Sequence, residues 1–303
     1  MTGEPAARNL LLVAVGGFGW EEVVEGNTVT RSLGGALLHF ASAASVSGAP
    51  PALVSRCTTR EATHLLPRLR SGGMDTAGVE VVQGELTRFR MRYDENEDLV
   101  LDDFVLTPAQ FGNTVYQPAE RLFRILSTSK ARPWTHVCPD VPDVFLDLCV
   151  VAGELAAPSS AQIHQSMLDM DLEKVRRSLT HVQMAFMTER ELCNLFDTGD
   201  LEIGVATAQN QREPTYIATS RDRVTIIHQG DVIRFPTPLI RAVDPTGAGD
   251  SLAGGLLGAL VTGAELDRAV RQGVLCALAC VTDFGPRALM RLGSPTSRME
   301  TDC

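Results

Sequence analysis

Nothing in the 303-residue chain approaches the roughly 18 unbroken apolar residues that would span a bilayer, although 44% of it is apolar. The opening residues, Met1-Thr2-Gly3-Glu4-Pro5-Ala6-Ala7-Arg8, lack the basic-then-apolar order of a secretory leader. No cluster of Lys and Arg stands out and the net charge is −10, so electrostatic capture of nucleic acid is disfavoured. A site for an anionic ligand would have to be local, built from backbone N–H groups and a few side chains. There are no internal repeats and no low-complexity tracts. Seven cysteines occur, an odd number, with no C-x-x-C and no zinc-like spacing. Cys276 and Cys280 lie one helical turn apart in an apolar stretch and read as small core residues. Together these absences imply a soluble protein of a reducing, cytoplasmic compartment, with neither nucleic acid nor membrane as partner.

What is present is a core-forming chain of α/β type. Short apolar runs alternate with helical patterns, as in βα units around a mostly parallel sheet. Strands are expected at 10–15, 52–57, 135–138, 182–187, 215–218 and 224–228. Helices are expected at 34–47, 60–70, 247–262 and 266–282, and the tail 294–303 is expected to fray. Two segments break this rhythm by alternating apolar and polar residues, 21–31 and 86–93, the second turning at 94–98 into 99–106. Such half-wet strands do not suit a sheet covered on both faces. A small separate β-sheet is therefore expected, formed from about 17–32 and 84–106 and projecting from a single domain over 1–293.

The string Val243-Asp244-Pro245-Thr246-Gly247-Ala248-Gly249-Asp250-Ser251 carries the strongest chemical signal. A Gly-Ala-Gly turn ahead of a long apolar helix leaves unpaired N–H groups at the positive end of the helix dipole, a seat for phosphate. Asp250 falls in the first turn, where a carboxylate can take a proton from an attacking hydroxyl. The plainer reading makes Gly247 and Gly249 a tight loop and Asp250 a helix cap.

The seven residues Asp244–Asp250 resemble the second signature, D-[T/P]-x-G-A-G-D, of the ribokinase-like (PfkB) carbohydrate kinases. The order of elements fits that family along nearly the whole chain. The resemblance implies a three-layer, doubly wound sheet with a β-lid, and an ATP-dependent kinase acting on a small polyhydroxylated metabolite: a sugar, nucleoside or cyclitol. It makes Asp250 the base and Gly247, Ala248 and Gly249 the anion hole, with Thr246, Gly247 and Gly249 on the nucleotide phosphates. No Walker A loop occurs. Gly34-Gly35 resembles the first signature, G-G-x-x-x-N-x-A, where the glycines let substrate approach the backbone and the Asn contacts a hydroxyl. Here His39 stands at the Asn position. Its plainer reading is a polar residue on a partly exposed face, off the stripe Leu37, Phe40, Ala41 and Ala44.

Other positions depart from the pattern. The family's sugar-binding Asp after the first strand is missing from Gly16-Gly17-Phe18-Gly19-Trp20-Glu21-Glu22, leaving Glu21 or Glu22 as substitutes. The family's N-x-x-E, which orders magnesium, reads Thr188-Glu189-Arg190-Glu191 and keeps only Glu191, otherwise an ordinary surface charge. Asp244 would lie near a potassium ion beside the hole. The nucleotide loop reads Thr219-Ser220-Arg221-Asp222-Arg223-Val224 without the usual glycines, so Arg221 or Arg223 could meet phosphate instead. In the lid, Phe89 or Arg90, but by strand parity only one, faces the cleft. Trp20 is expected to wall the substrate pocket and His39 to bond the substrate, which suits a ligand other than plain ribose or fructose. Lid edge strands could pair with a second copy of the chain. Two functions remain: a working kinase, favoured by the intact Asp244–Asp250 string, or a degenerate binding or regulatory protein, favoured by the loose motifs. A dinucleotide oxidoreductase is excluded, since Gly16-Gly17-Phe18-Gly19 is not G-x-G-x-x-G.

Overall fold

A computed structural model describes residues 11–94, 99–105, 117–155 and 158–293; the tail 294–303 and the turn residues 95–98 lie outside it. The chain opens with β1 (Leu12–Val15), then a hairpin of β2 (Gly19–Glu25) and β3 (Thr28–Gly34) leading into α1 (Ala36–Val46). Next come β4 (Ala52–Thr58), α2 (Thr59–Ser71) and β5 (Asp75–Val82), then a second hairpin of β6 (Thr87–Tyr93) and β7 (Leu99–Val105). The middle contains α3 (Pro118–Thr128), β8 (Trp134–Val137), α4 (Pro142–Leu155), β9 (Ser159–Gln162), α5 (Gln165–Leu179) and β10 (Met184–Thr188). After α6 (Glu189–Leu195) and α7 (Leu201–Gln209) follow β11 (Thr215–Thr219), β12 (Arg223–His228) and β13 (Asp231–Pro236). Three helices close the chain: α8 (Ala248–Val261), α9 (Leu266–Cys280) and α10 (Arg287–Leu292).

The main sheet has nine strands in the order β13-β12-β11-β10-β9-β8-β1-β4-β5. It is parallel from β5 to β11, and β12 and β13 add an antiparallel edge. Strand β1 shows why both faces must be covered. Its four residues are all buried, with Leu12 and Ala14 in one core and Val13 and Val15 in the other. The first core packs α1, α2, α8 and α9 against the sheet and the second packs α3 to α7, giving three layers. Among the described residues no helix is long and apolar enough to cross a membrane.

The half-polar segments leave this sheet, as their alternation predicts. They form a four-stranded sheet in the order β3-β2-β6-β7, two antiparallel hairpins joined by parallel pairing of β2 with β6. Strand β9 carried no apolar signal, being Ser159-Ser160-Ala161-Gln162, yet Ser159 and Ser160 are fully buried. The Gln183 side chain meets the Ser159 N–H and hydroxyl, and Trp134 and His136 meet the Ser160 hydroxyl. Paired polar groups of this kind can occupy a core that unpaired ones cannot.

Two features of this layout place the site. From β1 the chain runs outward through β4 and β5, then returns to β8 on the other flank of β1. That reversal leaves a crevice beyond the carboxyl ends of β1 and β8, where open α/β sheets bind ligands. Helix α8 is set beside it by small residues. A Cβ on Gly254 would overlap the Phe40 carbonyl of α1, and one on Gly258 would crowd Ser47 and the Ala44 carbonyl. Because backbone has to shift to admit the extra atoms, Gly254→Val should destabilise the protein by about 1–3 kcal/mol or more. Gly199→Ala, with open space around it, should stay within about 0.5 kcal/mol. Urea unfolding of both variants checks the pair.

Candidate active site

The loop from β13 to α8 is anchored before it turns. Asp244 is fully buried; its Oδ1 accepts from the Thr246 N–H at 3.0 Å and its Oδ2 from the Gly285 N–H at 3.4 Å. Burial raises its carboxyl, against the pull of those N–H donors. The N–H groups of Val243 and Asp244 both donate to the Val281 carbonyl at the end of α9. With each oxygen accepting a backbone N–H, Asp244 serves as a clamp on the loop. Gly247 then caps α8 in the left-handed region, at φ 76°. Amides in a helix's first turn have no acceptor within the helix. Of the three expected in the anion hole, that of Ala248 donates to the Pro245 carbonyl at 3.3 Å. Gly247 and Gly249 remain as the better-placed donors.

Asp250 stands in the first turn of α8, partly buried, with Oδ1 sealed and unpartnered. Burial pushes its carboxyl up to about 6, with His39 and His164 drawing it down and Glu21 raising it. Several neighbours follow strand ends and were not anticipated from the sequence. Asp140, two residues past Cys138, is raised by burial to about 6. The Cys138 thiol is held well above its ordinary value by burial first and then by Asp250 and Asp140. Gln162, ending β9, lies beside Gly249 and keeps a buried Oε1 without a partner. Their only signal in the sequence is position after a strand, and β9 itself did not read as one.

Beneath Gly247 lies a buried cluster. His39 is fully sealed, with Nε2 at 2.9 and 3.1 Å from the two Glu21 oxygens and Nδ1 at 3.3 Å from Cys280 Sγ. Burial would lower the imidazole, but Glu21 and then Cys280 outweigh it and raise His39 well above its ordinary range. This corrects both readings of His39: it neither faces an open substrate pocket nor sits on an exposed face. Of the two candidate glutamates it is Glu21 that turns inward, accepting the Gly35 N–H at 2.7 Å. A Cβ on Gly34 would overlap that carboxylate, so in this structure Glu21 itself approaches the Gly34-Gly35 pair.

Strand alternation sorts the lid. Glu22 lies on the opposite face from Glu21, buried beneath Arg31 and Arg90, which pair with it. Burial would raise Glu22, but hydrogen bonds from Arg31 and Arg90 hold its carboxyl below the usual value. Arg90 is thereby the outward member of the Phe89/Arg90 alternative. Phe89 packs on Gly19, and on the same face the Tyr93 hydroxyl meets Thr246 Oγ1 at 2.9 Å. The lid thus touches the anion-binding loop. Trp20 corrects the expectation of a pocket wall. It shares the parity of Glu22, its indole N–H donates to Glu61 at 3.2 Å, and Arg31 lies over its ring.

On the far side, Glu191 is buried and completes a capping box: the Thr188 N–H donates to its Oε2 at 2.7 Å, and the Glu191 N–H to the Thr188 hydroxyl at 3.1 Å. It is not a surface charge. Thr219 ends β11 with its hydroxyl on the Met187 carbonyl. Arg223 is forked onto Glu189 at 2.8 and 2.7 Å, which takes it out of phosphate binding, while Arg221 is exposed.

A family model described as pfkB family carbohydrate kinase matches residues 11–291. A cytidine kinase of Thermococcus kodakarensis is 25% identical over 257 residues, 82% of this chain and 87% of that one. Among solved structures, a Burkholderia thailandensis nucleoside kinase in complex with inosine superposes with TM-score 0.73 at 18% identity, covering 96% of this chain and 98% of that chain. A putative ribokinase II of E. coli with ATP and magnesium gives 0.74 at 18% identity, covering 95% and 99%. The architecture is that of the ribokinase-like kinases.

The two outer glycines of the turn should respond differently to substitution. Gly247→Ala forces a side chain into the left-handed region and onto the His39 ring, and should destabilise by about 1–3 kcal/mol. Gly249→Ala meets only the Gln162 side chain at 3.4 Å and should be nearly neutral for folding. Thermal unfolding of the two variants tests the contrast.

Proposed function

The chain belongs to the pfkB family of carbohydrate kinases, and from that premise we propose that it transfers the γ-phosphoryl group of ATP to a hydroxyl of a nucleoside. The observation that carries the reading is Asp250: a carboxylate with a buried, unpartnered oxygen, in the first turn of the helix that Gly247 caps. A base is most effective when its pKa lies near the working pH, and burial brings Asp250 to about 6. Asp250 takes the proton of the acceptor hydroxyl as that oxygen bonds to the γ-phosphorus and ADP departs. The amides of Gly247 and Gly249 hold the charge of the transferring group. Names of relatives, cytidine kinase and a nucleoside kinase holding inosine, support a nucleoside acceptor. So does the lid, which sets Phe89 and Tyr93 on its inner face.

The orphaned acceptor oxygens of Asp250 and Gln162 fit the hydroxyl groups of the acceptor, and the start of α8 fits the phosphates of the donor. Among the described residues no group of three or more His, Cys, Asp and Glu could hold a metal ion alone. That fits magnesium, which keeps several waters and relies on substrate phosphates with one or two carboxylates; Glu191 would bind through those waters, and the ion would neutralise phosphate charge. Thr219 and Arg221 border the same side and would meet the nucleotide. A second reading, a binder that has lost turnover, draws on the glycine-free loop after Thr219 and on Arg223 being tied to Glu189.

Asp250→Asn should lose about 10²–10⁴ in turnover with little change in ATP affinity, and undiminished turnover overturns the base assignment. The base works ionised, so kcat/KM should fall as pH drops through about 6. A pH–rate profile lacking that limb contradicts the assignment. Activity should vanish in excess EDTA and return with magnesium. Replacing potassium with a bulky organic cation checks the monovalent site expected near Asp244, and unchanged turnover removes it. Across a panel of nucleosides, ribose, fructose and cyclitols, a nucleoside should give the highest kcat/KM; ribose or fructose in that place defeats the substrate assignment.

A further inference from the structure

The proposed transfer leans on the Gly247 amide, and that amide belongs to a peptide unit whose other end is gripped from below. Resting on the phosphoryl-transfer reading above, we infer that Glu21, His39 and Cys280 form a buried hydrogen-bond relay that fixes the Thr246–Gly247 peptide plane and sets an imidazolium beneath the anion-binding turn, making His39 and Cys280 positioning residues for the reaction.

The proton count follows from the partners. A carboxylate can only accept, so the His39 Nε2 that lies 2.9 Å from Glu21 carries a hydrogen. Cys280 Sγ donates to the Thr246 carbonyl at 3.5 Å. A thiol has one hydrogen, so towards His39 Nδ1, 3.3 Å away, the sulfur can act only as acceptor. With the thiol hydrogen on Thr246, Nδ1 carries a hydrogen as well and the ring is a cation; a thiol hydrogen on Nδ1 would leave the ring neutral, and the ring signature below separates the two. Burial opposes a second proton on His39, and the Glu21 carboxylate leads the groups that nevertheless raise the imidazole well above its ordinary range.

The relay ends on the reacting turn. A trans peptide is planar with its C=O and N–H on opposite sides, so holding the Thr246 oxygen towards Cys280 turns the Gly247 N–H away from it. A carbonyl that accepts a hydrogen bond also polarises the N–H of its own peptide unit. The ring lies so close under Gly247 that a Cβ there would overlap it. With no surface exposed, His39 cannot touch a substrate, and its effect has to pass through this backbone. At its other end, Glu21 belongs to lid strand β2 and also holds the Gly35 amide at the start of α1. Thus one chain of contacts links the lid, α1, the end of α9 and the anion-binding turn.

The test compares Cys280→Ala, Cys280→Ser and His39→Gln with wild type. Cys280→Ala and His39→Gln should lower kcat about 10–100-fold, the usual effect of removing a group that orients a reacting one, with acceptor KM within about twofold. Cys280→Ser, whose hydroxyl can still donate to the Thr246 carbonyl, should recover at least part of that loss. By calorimetry, ADP with aluminium fluoride, a mimic of the transferring group, should bind more weakly to both impaired variants while ADP alone binds as before. In protein labelled with ¹⁵N-histidine, the His39 ring should show both nitrogens protonated from pH 6 to 8, and Glu21→Gln should abolish that signature. Unchanged kcat in folded Cys280→Ala and His39→Gln, or a neutral His39 tautomer in the wild type, overturns the relay. If Cys280→Ala does not fold, the serine variant and the ring signature decide. Absence of turnover in the wild type defeats the kinase reading alone, because the protonation of His39 still decides the relay.

Discussion

The buried contact between the Glu21 carboxylate and the His39 imidazole ties the lid sheet to the body of the protein. Glu21 sits on lid strand β2 and His39 on α1, which packs against the main sheet. Burying two charges is expensive, so such a pair is weak evidence for stability, whereas removing one partner typically costs about 3–5 kcal/mol. The pair is better understood as a device for position. It also fills the space beside Gly34-Gly35, a space that resemblance to the family would leave to substrate.

Environment assigns different roles to carboxylates that look alike in sequence. Asp244 and Asp250 bracket one seven-residue string, yet both oxygens of Asp244 are satisfied by backbone N–H groups, while Asp250 keeps a sealed oxygen free. The first holds the loop. The second is a group with an unmet need for a proton or a ligand, which is what a base requires. Burial raises both, and Asp250 lies close enough to Cys138, just past β8, to raise that thiol. The glycine-lined flank of α8 makes this placement firm, since close backbone contact with α1 leaves the helix little room to slide.

Much of the frame was legible because its signals are local. Period-two alternation marked 21–31 and 86–106 as strands unsuited to a doubly covered sheet, and both went into the lid. Apolar runs marked β1, β4, β10, β11 and β12. Strand β9 was illegible, because its buried serines owe their place to Trp134, His136 and Gln183, partners distant in sequence. Glu191 read as a magnesium-ordering residue or else as surface charge, since nothing in Thr188-Glu189-Arg190-Glu191 reveals that the box is buried. Trp20 and Arg223 misled for a related reason. Both have the chemistry of a binding residue, and in each case another side chain, Glu61 or Glu189, had already engaged it.

By itself the sequence determined the class of chemistry: an anion-binding turn, a carboxylate one step into the helix, and the glycines that allow both. Those features lie within seven consecutive residues, and short-range backbone geometry suffices to specify them. Tertiary structure decided which glutamate meets His39 and that His39 is sealed beneath Gly247. His39 meets Glu21 across 18 positions and Cys280 across 241. No local pattern encodes such partners, because proximity between them exists only after the lid, α1 and α9 have packed around the same point.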